Sequence, residues 1–375
     1  MTTATGVLDS IVIGAGQAGL SASHHLSRRG IDHVVLDAEQ RPGGAWQHRW
    51  DALTLADVHG IAELPDAEPL PTDSTAAAAR ANVAVPTYFS SYETEQQVPV
   101  LRPVKVDRVS SRDDALLAVT AGERTWLGRT LVNATGTWTQ PYWPFYPGRE
   151  TFLGEQLHTH DYPGPEHFRG RRVLVVGGGA SAVQFLGTLG PITDVVWVTR
   201  RPPVWRTDRF DAEAGHDAVA LVEDRVRRGL PPTSVVSVTG LMLRPQEAEA
   251  ARLGVYDRRL PMFSSIEPDG VRWADGSFEA VDVILWATGF RPAIAHLAPL
   301  RLRSEAGGIQ LDRFGTTAVV DPRIQLVGYG PSASTIGANR AGRFAARGVA
   351  AWLRDHPPSN ASSSVLSSRS GGSTS

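Results

Sequence analysis

Val7-Leu8-Asp9-Ser10-Ile11-Val12-Ile13-Gly14-Ala15-Gly16-Gln17-Ala18-Gly19 is the stretch on which the fold turns. The apolar run Val7–Ile13 reads as a strand, and the glycines fall where that strand hands over to a helix. The helical pattern runs through Arg29, with Ala18, Ala22, His25 and Leu26 on one side, and Gly30 stands where a terminating glycine belongs. His33–Leu36 is the next strand and ends at Asp37. Together these make a β-α-β unit. Gly14, Gly16 and Gly19 let backbone approach a pyrophosphate, and the helix that opens at Gln17 offers it the partial positive charge of its N-terminus. Asp37, eighteen residues beyond Gly19, is placed to accept hydrogen bonds from ribose hydroxyls. Its carboxylate repels a 2′-phosphate, so FAD or NAD is expected here rather than NADP.

The same signature returns 163 residues later. Val173–Val176 is a second apolar strand, followed by Gly177-Gly178-Gly179-Ala180-Ser181-Ala182. The paired strand, Asp194–Val198, ends in Thr199-Arg200-Arg201 instead of an acid. A guanidinium binds phosphate through charge-assisted, often bidentate hydrogen bonds. Arg200 or Arg201 therefore suits the 2′-phosphate of NADPH, and the sequence does not separate the two. Two nucleotide sites of opposite charge preference point to a resident flavin nucleotide and a visiting hydride donor. Hydride must pass between them, so the sites face one another.

The rest of the chain fits around these units. Residues 38–100 read as irregular and Pro-rich, with one helix at Tyr88–Gln97. Val104–Leu131 reads as three short strands of a β-meander, and a separate strand ends in Asn133-Ala134-Thr135-Gly136. Trp138–Pro147 reads as a linker, and Glu223–Arg228 as a solvated helix face. Val281–Trp286 is a strand running into Ala287-Thr288-Gly289-Phe290; Ile324–Gly328 is another, followed by a helix from about Ile336 to Leu353. The expected fold class is α/β: two Rossmann-like dinucleotide-binding domains, three-layered, with a β-meander. An FAD domain (1–160 and 285–355) would carry an inserted NADPH domain (165–284). Residues 356–375, rich in Pro, Ser, Gly and Thr, are expected to form a disordered tail.

Composition narrows the function. A chain of 375 residues has room for two domains, and a net charge of −2 argues against a nucleic-acid or membrane-surface partner held by bulk electrostatics. There is no cysteine, which excludes disulfides, thiol nucleophiles, CxxC redox chemistry and Cys-ligated metals. No metal site is expected. No apolar run reaches about 18 residues and Met1–Val7 is too short and uncharged for a signal peptide, so a soluble, cytoplasmic protein is expected. A homodimer is compatible with the sequence. Lys105 is the single lysine, a bias that reads as compositional drift.

Several pieces occur in order along residues 8–353: Gly14–Gly19, Gly43-Gly44-Ala45-Trp46, Ala134-Thr135-Gly136, Gly177–Ala182 and Ala287–Phe290. Between the third and fourth lies Phe152-x-Gly154-x-x-x-His158-x-x-x-Tyr162. Jointly they resemble the flavin-containing monooxygenases, including YUCCA-like bacterial relatives. Tyr162, without a Trp-Pro or Trp-Asp ending, resembles that branch more than the Baeyer–Villiger branch.

The resemblance implies FAD and NADPH as cofactors. Gly43, Gly44 and Trp46 would lie along the flavin. Thr135 and Gly136, and again Thr288 and Gly289, would belong to the hinges between the domains. His158 would sit near the domain interface, with a chemical role or as a hydrogen-bonded linker residue. Gly328–Gly342 resembles the closing flavin motif, in which Gly337 and Asn339 would lie where a helix N-terminus faces the flavin pyrimidine, with Ser334 or Thr335 as N-cap.

The activity implied is reduction of FAD by NADPH, addition of O2 to give a C4a-hydroperoxyflavin, and oxygenation of a small-molecule N, S or carbonyl substrate. One departure stands out. The family often carries an Asn after the GGxW region, and Leu53–Gly60 offers Asp57 and His59 instead. These would supply a hydrogen bond, a base for a substrate proton, or only a loop contact. The same departure also admits an NADPH:acceptor reductase or oxidase on this fold. Trp46, Trp50, Tyr88 and Trp205 are candidate walls of an apolar substrate pocket.

Overall fold

The computed structural model describes residues 2–58, 61–71, 73–206, 222–233 and 240–357. His59 and residues 358–375, where the tail is expected, lie outside the described residues. The first sheet has seven strands: β1 (Thr2–Ile13), β2 (His33–Leu36), β3 (Val100–Leu101), β4 (Arg108–Ser111), β5 (Leu117–Ala121), β6 (Arg124–Asn133) and β15 (Ile324–Leu326). Its order is β3-β2-β1-β6-β5-β4, with β15 also on β6. Alternation along β1 feeds two cores. Ile11 and Ile13 point into one, with Leu36, Val109, Leu131 and Leu326. Val12 points into the other, with Leu20, Val35, Phe89 and Ala345. The helices α1 (Gln17–Ser27), α3 (Ala81–Glu95) and α6 (Thr335–Asp355) cover this second face; α2 (Ser74–Ala77) is a short turn before α3. Gly342 of α6 lets the helix axes approach, because a Cβ there would meet Ser21 Oγ at 2.5 Å.

The second sheet is parallel, with order β10-β9-β8-β14-β7: β7 (Glu155–His158), β8 (Arg172–Val176), β9 (Asp194–Val198), β10 (Arg259–Leu260) and β14 (Val283–Trp286). It too is buried on both faces. Val173 and Val175 face α4 (Ala180–Leu189), while Leu174, Val176 and Trp286 face Phe263, Ile266 and Val271. That last layer includes the antiparallel strands β11 (Ser265–Glu267), β12 (Gly270–Arg272) and β13 (Phe278–Ala280). A short helix, α5 (Ala248–Arg252), lies beside α4. Among the described residues no helix is long and apolar enough to cross a membrane.

The two-domain α/β architecture is as the sequence predicts, and four details differ. The third meander strand and the strand ending at Asn133 are one strand, β6. Its first half pairs with β5 and its last three residues with β15. The helix expected at Tyr88–Gln97 begins at Ala81, because Pro86 lies inside α3 and packs on Gly43 rather than breaking the helix. The boundary at 160 falls too late: β7 hydrogen-bonds to β14 in the second sheet, so the chain crosses between domains near 134–147 and returns near 287–293. Finally, the segment around Glu223–Arg228 is only half solvated. Arg227 and Arg228 pair with Glu223 and Asp224 on the outside, while Val226 is buried in the first domain's core beside Ile309 and Tyr329.

Candidate active site

Both glycine loops leave the C-terminal ends of their central strands, where an open α/β sheet places its ligands. Gly14 adopts φ +99°, and a Cβ there would stand 2.6 Å from the Ala134 carbonyl oxygen. Gly177 repeats the arrangement at φ +148°, with the Ala287 oxygen 2.2 Å from such a Cβ. Each loop is thus pressed against one of the two Ala-Thr-Gly segments. Gly19 allows α1 to sit tight on its loop, since its Cβ would strike the Gly14 oxygen. Ala182, fully buried, does the same work of close packing for α4.

The space beside the loops suits dinucleotides. Gly16 and Gly179 are the N-caps of α1 and α4, no side chain caps either helix, and nothing lies within 4 Å of where their Cβ atoms would be. Gly136 and Gly289 are equally open. Gly44 packs its backbone on Gly16, bringing Trp46 alongside the first loop. Gln17 donates to the Ala62 carbonyl at 2.9 Å, and its Oε1 is buried without a partner. Asn339 donates to the Glu63 carbonyl and leaves its Oδ1 in the same state. Orphaned acceptors beside an open, uncapped helix end are what a bound ligand with hydroxyl or imide donors would satisfy. Ser334 is the N-cap of α6, its Oγ accepting from the Gly337 N–H at 3.1 Å. Ser181, in the first turn of α4, is half-buried.

The strand ends differ in charge. Asp37 is buried, and Arg102 Nε donates to its Oδ2 at 2.9 Å; the same guanidinium pairs with both oxygens of Glu93 at 2.6 Å. Burial pushes the Asp37 carboxyl up, while Arg102 and the Ala15 N–H pull it back down. At the second loop Thr199 occupies the equivalent place, its Oγ1 donating to the Arg201 carbonyl at 2.6 Å. Arg200 and Arg201 are exposed, and among the described residues neither side chain has a carboxylate partner. Arg259 of β10 reaches the same corner, with Nη1 at 3.3 Å from Thr199 Oγ1. Sequence reading missed Arg102 and Arg259. Both lie about sixty residues from the groups they meet, and only strand pairing brings them together.

The two crossing segments run side by side. Tyr142 N–H donates to the Gly289 carbonyl, Arg291 N–H to Gln140 and Ala293 N–H to Gly136, all at 2.8–2.9 Å. Thr135 Oγ1 donates to the Ala293 carbonyl at 2.6 Å and Thr288 Oγ1 to the Tyr142 carbonyl.

His158 and Asp57 both make structural hydrogen bonds. His158 is fully buried; Nδ1 accepts from the His160 N–H at 3.1 Å, so Nε2 carries the proton and donates to the Gly289 carbonyl at 3.0 Å. Burial holds it below the ordinary histidine range. With both nitrogens engaged it braces the returning segment and has no free site for proton transfer. The Asp57 carboxylate accepts from the Thr54 N–H (3.0 Å) and hydroxyl (2.7 Å), closing a capping box. Its backbone carbonyl receives Gln184 and Arg244 from the second domain, and Gln246 binds the Ala56 carbonyl. Asp57 therefore serves as an interdomain contact. Of the candidate walls, Trp50 packs edge-on against Tyr162 and tilted against Phe185 beside the second domain's core, and Tyr88 accepts from the Leu64 N–H. Trp205 packs on Trp197 and Tyr256. Trp50 and Tyr88 are half-buried in these contacts, and Trp205 keeps an exposed face.

The sequence profile described as pyridine nucleotide-disulphide oxidoreductase matches residues 11–216. The structure of a flavin-containing monooxygenase from Stenotrophomonas maltophilia is 36% identical, covers 94% of this chain and 100% of that one, and superposes with a TM-score of 0.78. Indole-3-pyruvate monooxygenase YUCCA1 of Oryza sativa subsp. japonica is 27% identical, over 76% of this chain and 78% of that protein. The OTEMO complex with FAD and NADP shares the fold, at 17% identity, a TM-score of 0.62 and coverage of 93% and 86%. The chain belongs to the pyridine nucleotide-disulphide oxidoreductase family and, within it, to the flavin-containing monooxygenases. Lacking cysteine, it carries no redox disulfide of its own.

Proposed function

We propose that this family member holds FAD on the Gly14–Gly19 loop, takes NADPH on the Gly177–Ala182 loop, and transfers one oxygen atom of O2 to a small-molecule N, S or carbonyl substrate. The observation that carries the reading is the repeated loop: Gly14 on Ala134 and Gly177 on Ala287, with the two Ala-Thr-Gly segments hydrogen-bonded side by side. This sets the two nucleotide ends against one another across a shared seam, as hydride transfer requires.

The N-termini of α1 and α4 bind the pyrophosphates, and Gly16 and Gly179 leave room for them. Asp37, backed by Arg102, meets the ribose of the resident nucleotide. Arg200, Arg201 and Arg259 meet the 2′-phosphate of the visitor. When bound, FAD supplies the redox and oxygen chemistry. The N-terminus of α6, ordered by Ser334, favours negative charge at the flavin pyrimidine. The aromatic contacts of Trp138 with Phe290 and His160 cover the seam and exclude water.

The test is to reduce the purified protein anaerobically with NADPH and mix it with O2 in a stopped-flow spectrophotometer. A long-lived, blue-shifted single band before oxidised flavin returns is expected. Direct return to oxidised flavin with stoichiometric H2O2 would overturn oxygen transfer in favour of an oxidase.

A further inference from the structure

Arg49 is a largely buried cation without an anion. It lies three residues beyond Trp46, and its guanidinium carbon stands 4.1 Å from the Trp138 ring centroid and 5.6 Å from that of Trp46. Its Nε is buried with no hydrogen-bond partner, and so is the indole Nε1 of Trp138. Asn82 binds the Arg49 backbone carbonyl and not the guanidinium. Among the described residues no carboxylate pairs with it, whereas Arg80, Arg102 and Arg244 all have one. Burial alone pushes the group down to about 10.

Two buried donors side by side, one of them charged, are costly unless an acceptor arrives. Their position says where it comes from. Trp138 follows Gly136 by two residues and stacks on Phe290, the residue after Gly289, at 5.1 Å. Trp46 follows Gly44, which rests on Gly16. The unpaired donors therefore stand where the first nucleotide loop meets both crossing segments, at the seam between the two cofactor ends.

We propose that Arg49 and the Trp138 indole N–H recognise a carboxylate on the substrate, so that the enzyme acts on a small organic acid. This rests on the function proposed above and narrows its substrate class. A planar guanidinium matches a carboxylate bidentately, and the flanking indoles offer an apolar surface for the rest of the molecule. A dinucleotide phosphate is the other oxyanion within the same chemistry, and the test separates the two.

The holoenzyme is titrated with benzoate and phenylacetate and with their uncharged amides, following the perturbation of the flavin spectrum. At least one acid is expected to bind roughly ten- to hundredfold more tightly than its amide. Arg49→Met should erase that preference, Arg49→Lys should keep part of it, and the Kd values for FAD and NADP+ should not change. Should Arg49→Met not fold, Arg49→Lys and Trp138→Phe carry the same comparison. Equal binding of acid and amide by the unaltered holoenzyme overturns the proposal. So does a loss of FAD or NADP+ affinity in the variants, which assigns the guanidinium to a dinucleotide. A yellow protein that oxidises NADPH yet shows no acid preference leaves the proposed function standing. A colourless protein removes both.

Discussion

The two nucleotide loops share a backbone and differ at the neighbouring strand end. In each, the first glycine is locked against an Ala-Thr-Gly carbonyl, and the helix that follows has a glycine N-cap and no side-chain cap. At the first, the strand ends in a buried acid held by Arg102, which is itself fixed by Glu93. At the second, it ends in a threonine beside three arginines, two of them exposed and, among the described residues, without a carboxylate partner. Loop shape provides a pyrophosphate seat in both places. In the function proposed here, the strand end selects which nucleotide sits there.

Breaking the seats one at a time should have the largest effects. Gly14→Val places a β-branched side chain at φ +99° and 2.6 Å from the Ala134 oxygen. The expected product is a colourless protein, read by absorbance of the purified variant. Gly177→Val makes the corresponding clash with Ala287, yet it should give yellow protein that NADPH no longer reduces. If both variants lose flavin equally, the two loops do not divide the cofactors. Next in size is Arg102→Met. It leaves Asp37 and Glu93 buried and facing each other without a cation, a loss of about 3–5 kcal/mol. A lower Tm and weaker flavin retention are expected, with NADPH affinity of the surviving holoenzyme unchanged.

Much of this division was legible in the chain. The loops, the first acid, the basic second strand end and the crossing segments are local patterns, each written within about ten residues. What stayed hidden depends on pairing between distant strands. Arg102 reaches Asp37 because β3 lies beside β2, and Arg259 reaches Thr199 because β10 lies beside β9. The length of β6 was hidden for a related reason: two different partners take turns on one edge, so a single strand reads as two. The first turns of α3 stay hidden because a proline inside a helix ordinarily breaks it, whereas here the Pro86 ring packs on Gly43. His158 and Asp57 carry residue types suited to proton transfer, and only the structure reveals their hydrogen bonds: both ring nitrogens of His158 are engaged, and one carboxylate oxygen of Asp57.

The second strand end offers a finer test. Replacing Arg200 and Arg201 together by Ala should raise the KM for NADPH by at least the roughly 10- to 150-fold that one lost phosphate contact of about 1.5–3 kcal/mol brings, while the KM for NADH stays close to its starting value. Arg259→Ala should move NADPH in the same direction by a smaller factor, because its guanidinium already spends one donor on Thr199. Equal changes for both nucleotides would remove the charge distinction between the sites.

The smallest expected effect compares the two crossing segments. His158 braces the second, and His296 the first, with Nε2 at 2.7 Å from Asn133 Oδ1 at the end of β6. Burial drives His296 down to about 4, against about 6.5 in an unfolded chain. Between those values the unfolded chain binds the proton and the folded chain does not. Stability is therefore full above about pH 6.5 and is lost as the pH falls toward 4. Partial exposure reduces the effect, so about 1 kcal/mol is expected between pH 7 and pH 5. His296→Gln keeps an N–H for Asn133 without the titration. Urea unfolding of both proteins at the two pH values should show a smaller pH-dependent loss in the variant, because His25, also held near 4, contributes equally to each and cancels. An identical loss in the two proteins would mean that the first crossing segment opens on its own and lets the ring reach water before the protein unfolds.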